Sequence, residues 1–250
     1  MEHQTLLENY LRALRLPTFA LNYQSFAQDA ARSDLSFERF LLALCQAEMD
    51  QREANRVERA IANAKLPVMK EVSSFDFSVV QGIAKTRILE LAQCGYLAKK
   101  ESIILVGNPG LGKTHIATGL ALAACRQGKR VRFFGAASLV NDLSAAQHEL
   151  RLSKFTAQIT KLDLVVLDEL GFIPFTKEGA QLLFQLCSDL YERVSIIVTT
   201  NLRFADWNSI FGDERMTAAL LDRLTHKAHI LELIGESYRF RQRLLQSEAG

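Results

Sequence analysis

One eight-residue segment limits the folds open to this chain more than any other feature. Residues 107–114 read Gly-Asn-Pro-Gly-Leu-Gly-Lys-Thr and match the pattern G-x-x-x-x-G-K-[ST], directly after the apolar run Ile103–Val106 and before an Ala-rich segment. Glycines let the backbone N–H groups of such a loop curl around phosphate groups at a helix N-terminus. The order strand, loop and helix therefore favours a phosphate-binding loop, or P-loop, over a glycine-rich turn that binds nothing.

Two residues at the end of this loop carry specific chemistry. Lys113 is expected to reach the β- and γ-phosphates of a nucleoside triphosphate, which makes it a catalytic as well as a binding residue. The hydroxyl of Thr114 is expected to ligate Mg²⁺. The predicted nucleotide-binding residues of the loop are Gly107, Asn108, Pro109, Gly110, Leu111, Gly112, Lys113 and Thr114.

A second apolar run, Leu164–Leu167, ends abruptly in the carboxylates Asp168 and Glu169. Such a pair is common after strands, but here it lies downstream of a P-loop with one further strand, at 131–134, between them. We expect Asp168 to hold the Mg²⁺ coordination shell and Glu169 to orient and deprotonate an attacking water. The adjacent glutamate favours a hydrolysing, motor-type NTPase over a small-molecule kinase or a GTPase.

A third apolar run, Ser195–Thr199, also ends in polar residues and leads to Asn201. If this strand lies between the strands that carry the P-loop and Asp168, Asn201 can meet the γ-phosphate or the attacking water, and it is a catalytic candidate. The alternative is a strand-to-loop turn, where asparagine is ordinary.

The apolar runs alternate with helical segments, which predicts a doubly wound parallel α/β sheet. The expected strands are Ile103–Val106, Val131–Phe134, Leu164–Leu167, Ser195–Thr199 and His229–Leu233, and the expected helices between the first four lie at about 114–127, 138–147 and 177–192.

The first 65 residues contain no glycine and favour helices that break near Pro17 and Pro67, with one long helix from Ser36 to Ala64. We therefore expect an N-terminal helical region over residues 1–70 and a nucleotide-binding domain over residues 71–250.

Composition narrows the class of protein further. With 48% hydrophobic and 23% charged residues the chain can bury a substantial core. No run approaches the length of a membrane span, and the N-terminus lacks the apolar core of a signal peptide, so we expect a cytoplasmic protein without a membrane partner. The four cysteines are widely separated and are expected to be core thiols, not a zinc site or disulfides; they are Cys45, Cys94, Cys125 and Cys187.

The net charge of +2 does not by itself indicate a nucleic-acid partner, but its distribution is uneven. Residues 71–160 hold eleven Lys or Arg and six Asp or Glu. A short run of this segment could touch a phosphate backbone or could simply be a solvated helix end; its cations are Arg126, Lys129, Arg130 and Arg132.

Eight short motifs, taken together, resemble one family from about Leu66 to Arg243. They are the P-loop, Leu167-Asp168-Glu169-Leu170-Gly171, Tyr191-Glu192-Arg193, Thr199-Thr200-Asn201-Leu202, Phe204-Ala205-Asp206-Trp207, Phe211-Gly212-Asp213, Leu221-Asp222-Arg223-Leu224 and Gly235-Glu236-Ser237-Tyr238-Arg239. In these the chain is similar to the IstB ATP-binding proteins of bacterial insertion sequences, which are AAA+ ATPases related to the DnaC helicase loaders.

The resemblance implies a P-loop AAA+ domain over residues 71–250 that uses ATP and Mg²⁺. It also implies a helper that binds double-stranded DNA, forms ATP-dependent homo-oligomers on it and recruits a cognate transposase. A DnaC-like helicase loader shares every nucleotide motif and remains an alternative. A nucleotide-switched DNA scaffold and a small-molecule P-loop kinase are the other classes considered; Glu169 argues against the first, and the lack of a substrate lid against the second.

The resemblance also implies roles for three residues. Asn201 would be the sensor-1 residue, and Arg223 would be an arginine finger supplied to the ATP of a neighbouring subunit, the alternative for Arg223 being a salt bridge to Asp222 or Glu232. Arg239 would be a nucleotide-binding sensor-2 group, or else a surface arginine. Seventeen residues follow Leu233, so we expect little or no C-terminal helical lid.

Overall fold

A computed structural model describes residues 2–235 and residue 237 of the chain. The chain divides into two compact units, Met1–Arg59 and Ala60–Gly250. No helix of the described residues is long and apolar enough to span a bilayer.

The first unit is helical. Its helices are α1 (Glu2–Ala13), α2 (Pro17–Arg32) and the greater part of α3 (Phe37–Ala64). Pro17 occupies the first turn of α2, where its missing N–H costs no hydrogen bond. The buried carboxylate of Glu48 on α3 accepts hydrogen bonds from the backbone N of Thr18 at 2.9 Å and from Nε of Arg52 at 2.7 Å. The N-cap residue of α2 makes no side-chain hydrogen bond to the helix. Glu48 on α3 therefore takes the place of a capping side chain for the first turn of α2.

The second unit is an α/β domain. Its helices are α4 (Lys85–Ala92), α5 (Gly95–Lys99), α6 (Lys113–Arg126), α7 (Ala136–His148), α8 (Leu152–Ile159), α9 (Lys177–Leu190), α10 (Asn208–Phe211) and α11 (Glu214–Thr225). Short 3₁₀ turns lie at Val72–Ser74, Phe77–Val79 and Phe204–Asp206. Its strands are β1 (Ser102–Gly107), β2 (Val131–Gly135), β3 (Leu164–Leu170), β4 (Ser195–Thr200) and β5 (Ala228–Leu233).

Within the described part of the chain, the five strands are parallel and form one sheet in the order β2-β3-β4-β1-β5. Successive side chains of a strand point to opposite faces, and the core divides accordingly. Ile103 and Leu105 belong to one buried cluster, packed with α4, α5 and α6, while Ile104 belongs to a second, packed with α7, α9 and α11. Both faces of the sheet are therefore covered, which explains why the strand sequences are nearly continuous apolar runs.

The predicted fold class is confirmed, and each expected strand is present. The described residues also form short helices that we did not predict, among them α4, α5 and α8. In α8 the apolar residues Leu152, Phe155 and Ile159 are interrupted by polar ones over only eight positions. So short a segment has too few turns for its periodicity to stand out.

The expectation of four core thiols is wrong at one position. Cys94, Cys125 and Cys187 are buried, whereas Cys45 is exposed. The residue before it on α3, Leu44, is 2% exposed, and consecutive side chains on a helix point about 100° apart. Cys45 is therefore turned out of the core.

Candidate nucleotide-binding site

The loop between β1 and α6 has a backbone that only glycine adopts without strain at two positions. Gly110 has φ +84° and Gly112 has φ +82°. A Cβ at Gly110 would lie 2.2 Å from Oγ of Ser237, and a Cβ at Gly112 would lie 2.5 Å from Cε2 of Phe75. Gly110 and Gly112 are therefore required by the tight turn and by the chain segments packed on it.

The loop ends at the N-terminus of α6, where backbone donors are available. The N-cap residue is Gly112, and no side chain caps the first turn. The first N–H groups of a helix have no partner within the helix, and the helix dipole places partial positive charge there. A fourteen-residue helix preceded by a glycine-rich loop is thus suited to bind the phosphates of a nucleotide.

Lys113 lies over the loop that precedes it. Its Nζ donates hydrogen bonds to the carbonyl oxygens of Gly107 at 2.6 Å and Asn108 at 2.9 Å. Partial burial lowers the pKa of Lys113 below its usual value, although the carboxylates of Asp168 and Glu169 act in the opposite direction. The ammonium is thus held between the P-loop and two carboxylates, at the edge of the sheet where phosphates would bind.

Asp168, near the end of β3, meets the P-loop through Thr114. The Thr114 hydroxyl donates to the carboxylate, at 3.0 Å from Oδ1 and 3.2 Å from Oδ2. Asp168 is 7% exposed. Among the described residues no group of three or more His, Cys, Asp or Glu side chains could hold a metal ion. One hydroxyl and one carboxylate instead fit Mg²⁺, which prefers oxygen ligands and commonly completes its octahedron with waters and substrate phosphates.

Glu169 differs from Asp168 in both backbone and exposure. It is exposed and has φ +58°, a left-handed conformation that is unusual for a residue with a side chain. The pairing of β3 with β4 shifts register between Leu167 and Leu170. This irregularity turns Glu169 out of the buried strand, so that the two adjacent carboxylates face different surroundings.

Thr199 is a site residue that the sequence analysis missed. Its Oγ1 donates to Oδ1 of Asp168 at 2.6 Å and accepts from the backbone N of Glu169 at 2.9 Å. It lies in β4 and is 1% exposed. The only signal in the sequence is a hydroxyl that follows Ile196, Ile197 and Val198 in an otherwise apolar strand, which is also typical of a strand end.

Asn201 is expected to reach the γ-phosphate or the attacking water if its strand lies between the strands of the P-loop and Asp168. The strand does so, since β4 lies between β1 and β3. Asn201 directly follows β4 and is partly exposed, at the same edge of the sheet as the P-loop. No hydrogen bond of its side chain links it to another described residue. The structure thus brings Asn201 to the edge that carries Lys113, Thr114 and Asp168.

Arg223 lies near the C-terminal end of α11 and packs against α9. Its Nη1 donates to Oγ of Ser188 at 2.8 Å, and its guanidinium carbon lies 4.9 Å from the centre of the Phe184 ring. No ion pair to Asp222 or Glu232 is found within the part of the chain that the structure describes.

The position of Arg223 places it far from the P-loop of its own chain. Two residues separate the end of α11 from the start of β5 at Ala228, which pairs with Ser102, the first residue of β1. The P-loop follows the last residue of β1. Because β1 has six residues, its two ends lie roughly 17 Å apart at about 3.3 Å per residue. Arg223 is therefore near the opposite edge of the sheet.

The last predicted nucleotide-binding residue, Arg239, lies outside the described residues. Two residues before it, Ser237 packs on Gly110 of the P-loop. The chain after β5 thus reaches the P-loop at least at Ser237.

Three of the four cations proposed as a DNA contact have partners within the second unit. Arg126 pairs with Glu71 and Arg130 with Asp163. Arg132 donates to the carbonyl of Asn63 at 3.0 Å and lies over the ring of Phe134. Phosphates would have to compete with these exposed contacts, which are individually weak.

The fold and the site together define the class of protein domain. A parallel sheet in the order β2-β3-β4-β1-β5, with a P-loop after β1 and a carboxylate pair at the end of β3, is a P-loop ATPase domain of the AAA+ type. Solved structures share this fold. The DnaC helicase loader matches with a TM-score of 0.54 and 23% identity over 69% of this chain and 97% of its own. The replication initiator DnaA bound to AMPPCP and single-stranded DNA matches with a TM-score of 0.58 and 18% identity, over 73% and 56% respectively.

The family is defined by sequence comparison. The model of the IstB-like ATP binding protein family matches residues 9–246, and the chain belongs to this family and is an ATPase. It is 35% identical to the ATP-binding protein of insertion sequence IS5376 from Geobacillus stearothermophilus, over 97% of this chain and 96% of that protein. It is 40% identical to an insertion sequence ATP-binding protein of Sinorhizobium fredii, over 92% and 78% respectively.

Proposed function

We propose that this chain is an ATP-dependent helper of a transposase, which binds duplex DNA, forms homo-oligomers on it and hydrolyses ATP. The observation that carries the proposal is the meeting of Thr114, Asp168 and Glu169 beside Lys113 of the P-loop. Its biological setting is supported by relatives that are named ATP-binding proteins of insertion sequences.

ATP binding rests on the P-loop. The N–H groups at the start of α6 offer hydrogen bonds to the β-phosphate, and Lys113 can exchange its bonds to the Gly107 and Asn108 carbonyls for phosphate oxygens. Because an ammonium–phosphate hydrogen bond is charge-assisted, it is stronger than the carbonyl bonds it replaces. On nucleotide binding, Nζ of Lys113 would thus donate to phosphate oxygens instead of to the two loop carbonyls.

The Mg²⁺ that accompanies ATP would be held by the Thr114 hydroxyl and Asp168. When bound, Mg²⁺ supplies positive charge that stabilises the phosphate oxygens during cleavage. The hydroxyl hydrogen of Thr114 already points to Asp168, so its oxygen lone pairs stay available as a ligand. Thr114 can therefore coordinate a cation without losing its bond to the carboxylate.

Hydrolysis needs a base that accepts a proton from water. The carboxylate of Glu169 is exposed next to the buried Asp168, so water has access to it while Asp168 keeps its hydroxyl partners. Asn201, at the end of the adjacent strand, offers an amide that can orient the water or the γ-phosphate. Glu169 is thus proposed as the general base and Asn201 as the orienting group.

Arg223 is proposed to act on the ATP of a neighbouring subunit. It lies near the opposite edge of its own sheet, and its side chain is held on α9 by Ser188 and Phe184. An arginine fixed in this way can meet a γ-phosphate presented by another copy of the chain, where it stabilises developing negative charge. ATP would then bridge two subunits and couple binding to assembly.

A replicative helicase loader is the nearest alternative, since the DnaC helicase loader shares the fold. That likeness, at 23% identity, concerns the fold alone. Relatives at 35–40% identity that cover more than nine-tenths of this chain are named for insertion sequences. The transposase is therefore the favoured partner.

The protein that this chain binds distinguishes a transposase helper from a helicase loader. Tagged Glu169→Gln protein, with ATP and duplex DNA, is tested separately for binding to the transposase of the same element and to the host's replicative helicase. Retention of the transposase alone supports the proposal, and retention of the helicase alone overturns it. Lys113→Ala protein, which should not bind ATP, is the control and should retain neither.

A further inference from the structure

At the end of β3 two residues face a single residue of the neighbouring strand. Leu167 pairs with Val198 and Leu170 pairs with Thr200. Asp168 and Glu169 lie between the first pair and the second, whereas β4 has only Thr199 between them. This is a β-bulge, in which one strand carries an extra residue and bends. The bulge places both candidate catalytic carboxylates opposite Thr199.

The hydroxyl of Thr199 bonds to one backbone N–H of the bulge and to one of its carboxylates. The N–H of Glu169 donates to Oγ1 of Thr199 at 2.9 Å, and the same Oγ1 donates to Oδ1 of Asp168 at 2.6 Å. Thr199 is 1% exposed and its backbone pairs with Leu105 of β1. Removal of this hydroxyl leaves the Glu169 N–H without the partner that it has here. Since the contact is partly buried, that loss is costly.

The surroundings of Asp168 and Glu169 show which groups the Thr199 hydroxyl positions. Asp168 Oδ1 receives both the Thr199 and the Thr114 hydroxyls, while Oδ2 has the longer, 3.2 Å contact with Thr114. Glu169 keeps a left-handed backbone at φ +58°, a strained conformation that persists only when neighbouring groups hold it. The Thr199 hydroxyl bonds to the peptide that carries this strain.

We propose that Thr199 is a positioning residue for ATP hydrolysis, whose hydroxyl orients the Asp168 carboxylate and the Glu169 backbone together. The inference rests on the proposed function of this site. It predicts that Thr199 acts on Mg²⁺-dependent binding and on turnover, and not on the nucleotide affinity that the P-loop provides alone. A threonine that merely filled the core would affect stability only.

Three variants separate these roles. Thr199→Val removes the hydroxyl with little change of shape, and Thr199→Ser restores it. Thr217→Val is the matched control, because Thr217 is also buried, at 2% exposure, and also donates one hydroxyl bond, to the carbonyl of Asp213 at the N-cap of α11. Thermal unfolding by circular dichroism confirms that each variant is folded before activity is compared.

Binding of a fluorescent ATP analogue is measured first in EDTA and then against Mg²⁺ concentration. We expect Thr199→Val to bind within about twofold of wild type in EDTA and to need about 10–100-fold more Mg²⁺ for half of the Mg²⁺-dependent gain in affinity, as for other groups that orient metal ligands. Thr199→Ser should return to within about threefold of wild type. An unchanged Mg²⁺ requirement in Thr199→Val overturns the inference.

ATP turnover supplies the second measurement. The kcat of Thr199→Val should fall about 10–100-fold with a smaller change in KM in saturating Mg²⁺, and Thr199→Ser should recover it. Equal loss in Thr217→Val, or no rescue by serine, contradicts a positioning role. If wild-type protein binds the analogue but hydrolyses no ATP, the proposed function fails, while the Mg²⁺ titration still decides the role of Thr199.

Discussion

The hydroxyl of Thr114 lies 3.0 Å from Oδ1 of Asp168, although 54 residues separate the two in the chain. Thr114 lies in the first turn of the helix after the P-loop. Asp168 lies near the end of β3, which is two places from β1 in the sheet. Their contact joins the phosphate-binding loop to the carboxylate pair, and Thr199 extends it to the strand between them. Nucleotide binding and hydrolysis can therefore be tested at separate members of one connected group.

Lys113→Ala is expected to weaken ATP binding by about 10²-fold or more, because bonds from a cation to the β- and γ-phosphates contribute about 1.5–3 kcal/mol each. Titration of a fluorescent ATP analogue measures this affinity. The control is Lys161→Ala, since Lys161 is an exposed lysine of the same unit. Unchanged affinity in Lys113→Ala contradicts the assignment of the P-loop.

Glu169→Gln is expected to keep ATP binding and lose about 10²–10⁴-fold in turnover, because the amide preserves shape but cannot accept the proton of water. The variant should also accumulate as an ATP-bound oligomer on DNA. Phosphate release and size-exclusion chromatography with duplex DNA give the two readouts, and Glu178→Gln on α9 is the control. Normal turnover in Glu169→Gln removes this residue from the role of base.

Arg223→Ala is expected to lower turnover by roughly 10³-fold by acting across a subunit interface. A mixture of inactive Lys113→Ala and inactive Arg223→Ala proteins should regain part of the activity, since some interfaces pair an intact P-loop with an intact Arg223. If the two proteins co-assemble but the mixture stays inactive, the role in trans is wrong. Arg215, which is exposed at the start of the same helix, is then the next arginine to test.

Ser188→Ala is expected to reduce turnover less than Arg223→Ala does. Ser188 accepts a hydrogen bond from Arg223, while Phe184 still lies under the guanidinium, so one of two contacts remains. A cation–π contact contributes about 0.5–1 kcal/mol at exposed sites. A loss as large as that of Arg223→Ala in the ATPase assay would show that the hydrogen bond alone positions the arginine.

DNA affinity in the presence of ATP is expected to fall steeply as salt rises and to depend little on sequence, because a duplex is bound mainly through its phosphates. Fluorescence anisotropy at several salt concentrations measures the slope. Lys129→Gln should reduce that slope by about one if this residue contacts a phosphate. A salt-insensitive complex, or strong preference for single strands, argues against the helper.

Protonation of Glu48 is expected to lower the free energy of unfolding at acidic pH. Burial raises the pKa of Glu48, but its hydrogen bonds from Arg52 and Thr18 outweigh this effect, and the pKa lies below its usual value. The stabilisation is therefore complete above the pKa of an unfolded glutamate and is lost as the pH falls through the lower, folded value. Denaturation midpoints between pH 7 and pH 3 should converge for wild type and Glu48→Gln, and a constant difference would contradict the prediction.

The sequence by itself determined the features that are local in the chain. The P-loop, the five strands and the carboxylate pair each lie in a contiguous segment, and their physical causes are local: the backbone freedom of glycine, the need of a parallel strand for apolar residues on both faces, and the end of an apolar run. Residues 107–114, Asp168 and Glu169 could therefore be named without a structure.

Only the tertiary structure decided which segments meet. That β4 lies between β1 and β3 depends on the packing of helices on both faces of the sheet, which no local pattern encodes, and this order brings Thr199 to Asp168 and Asn201 to the P-loop edge. Arg223 bonds to Ser188, and not to the acidic residues that its sequence neighbourhood offers, because α11 packs on α9. Thr199 was overlooked for the same reason, since a threonine in a strand acquires its role from the bulge opposite it.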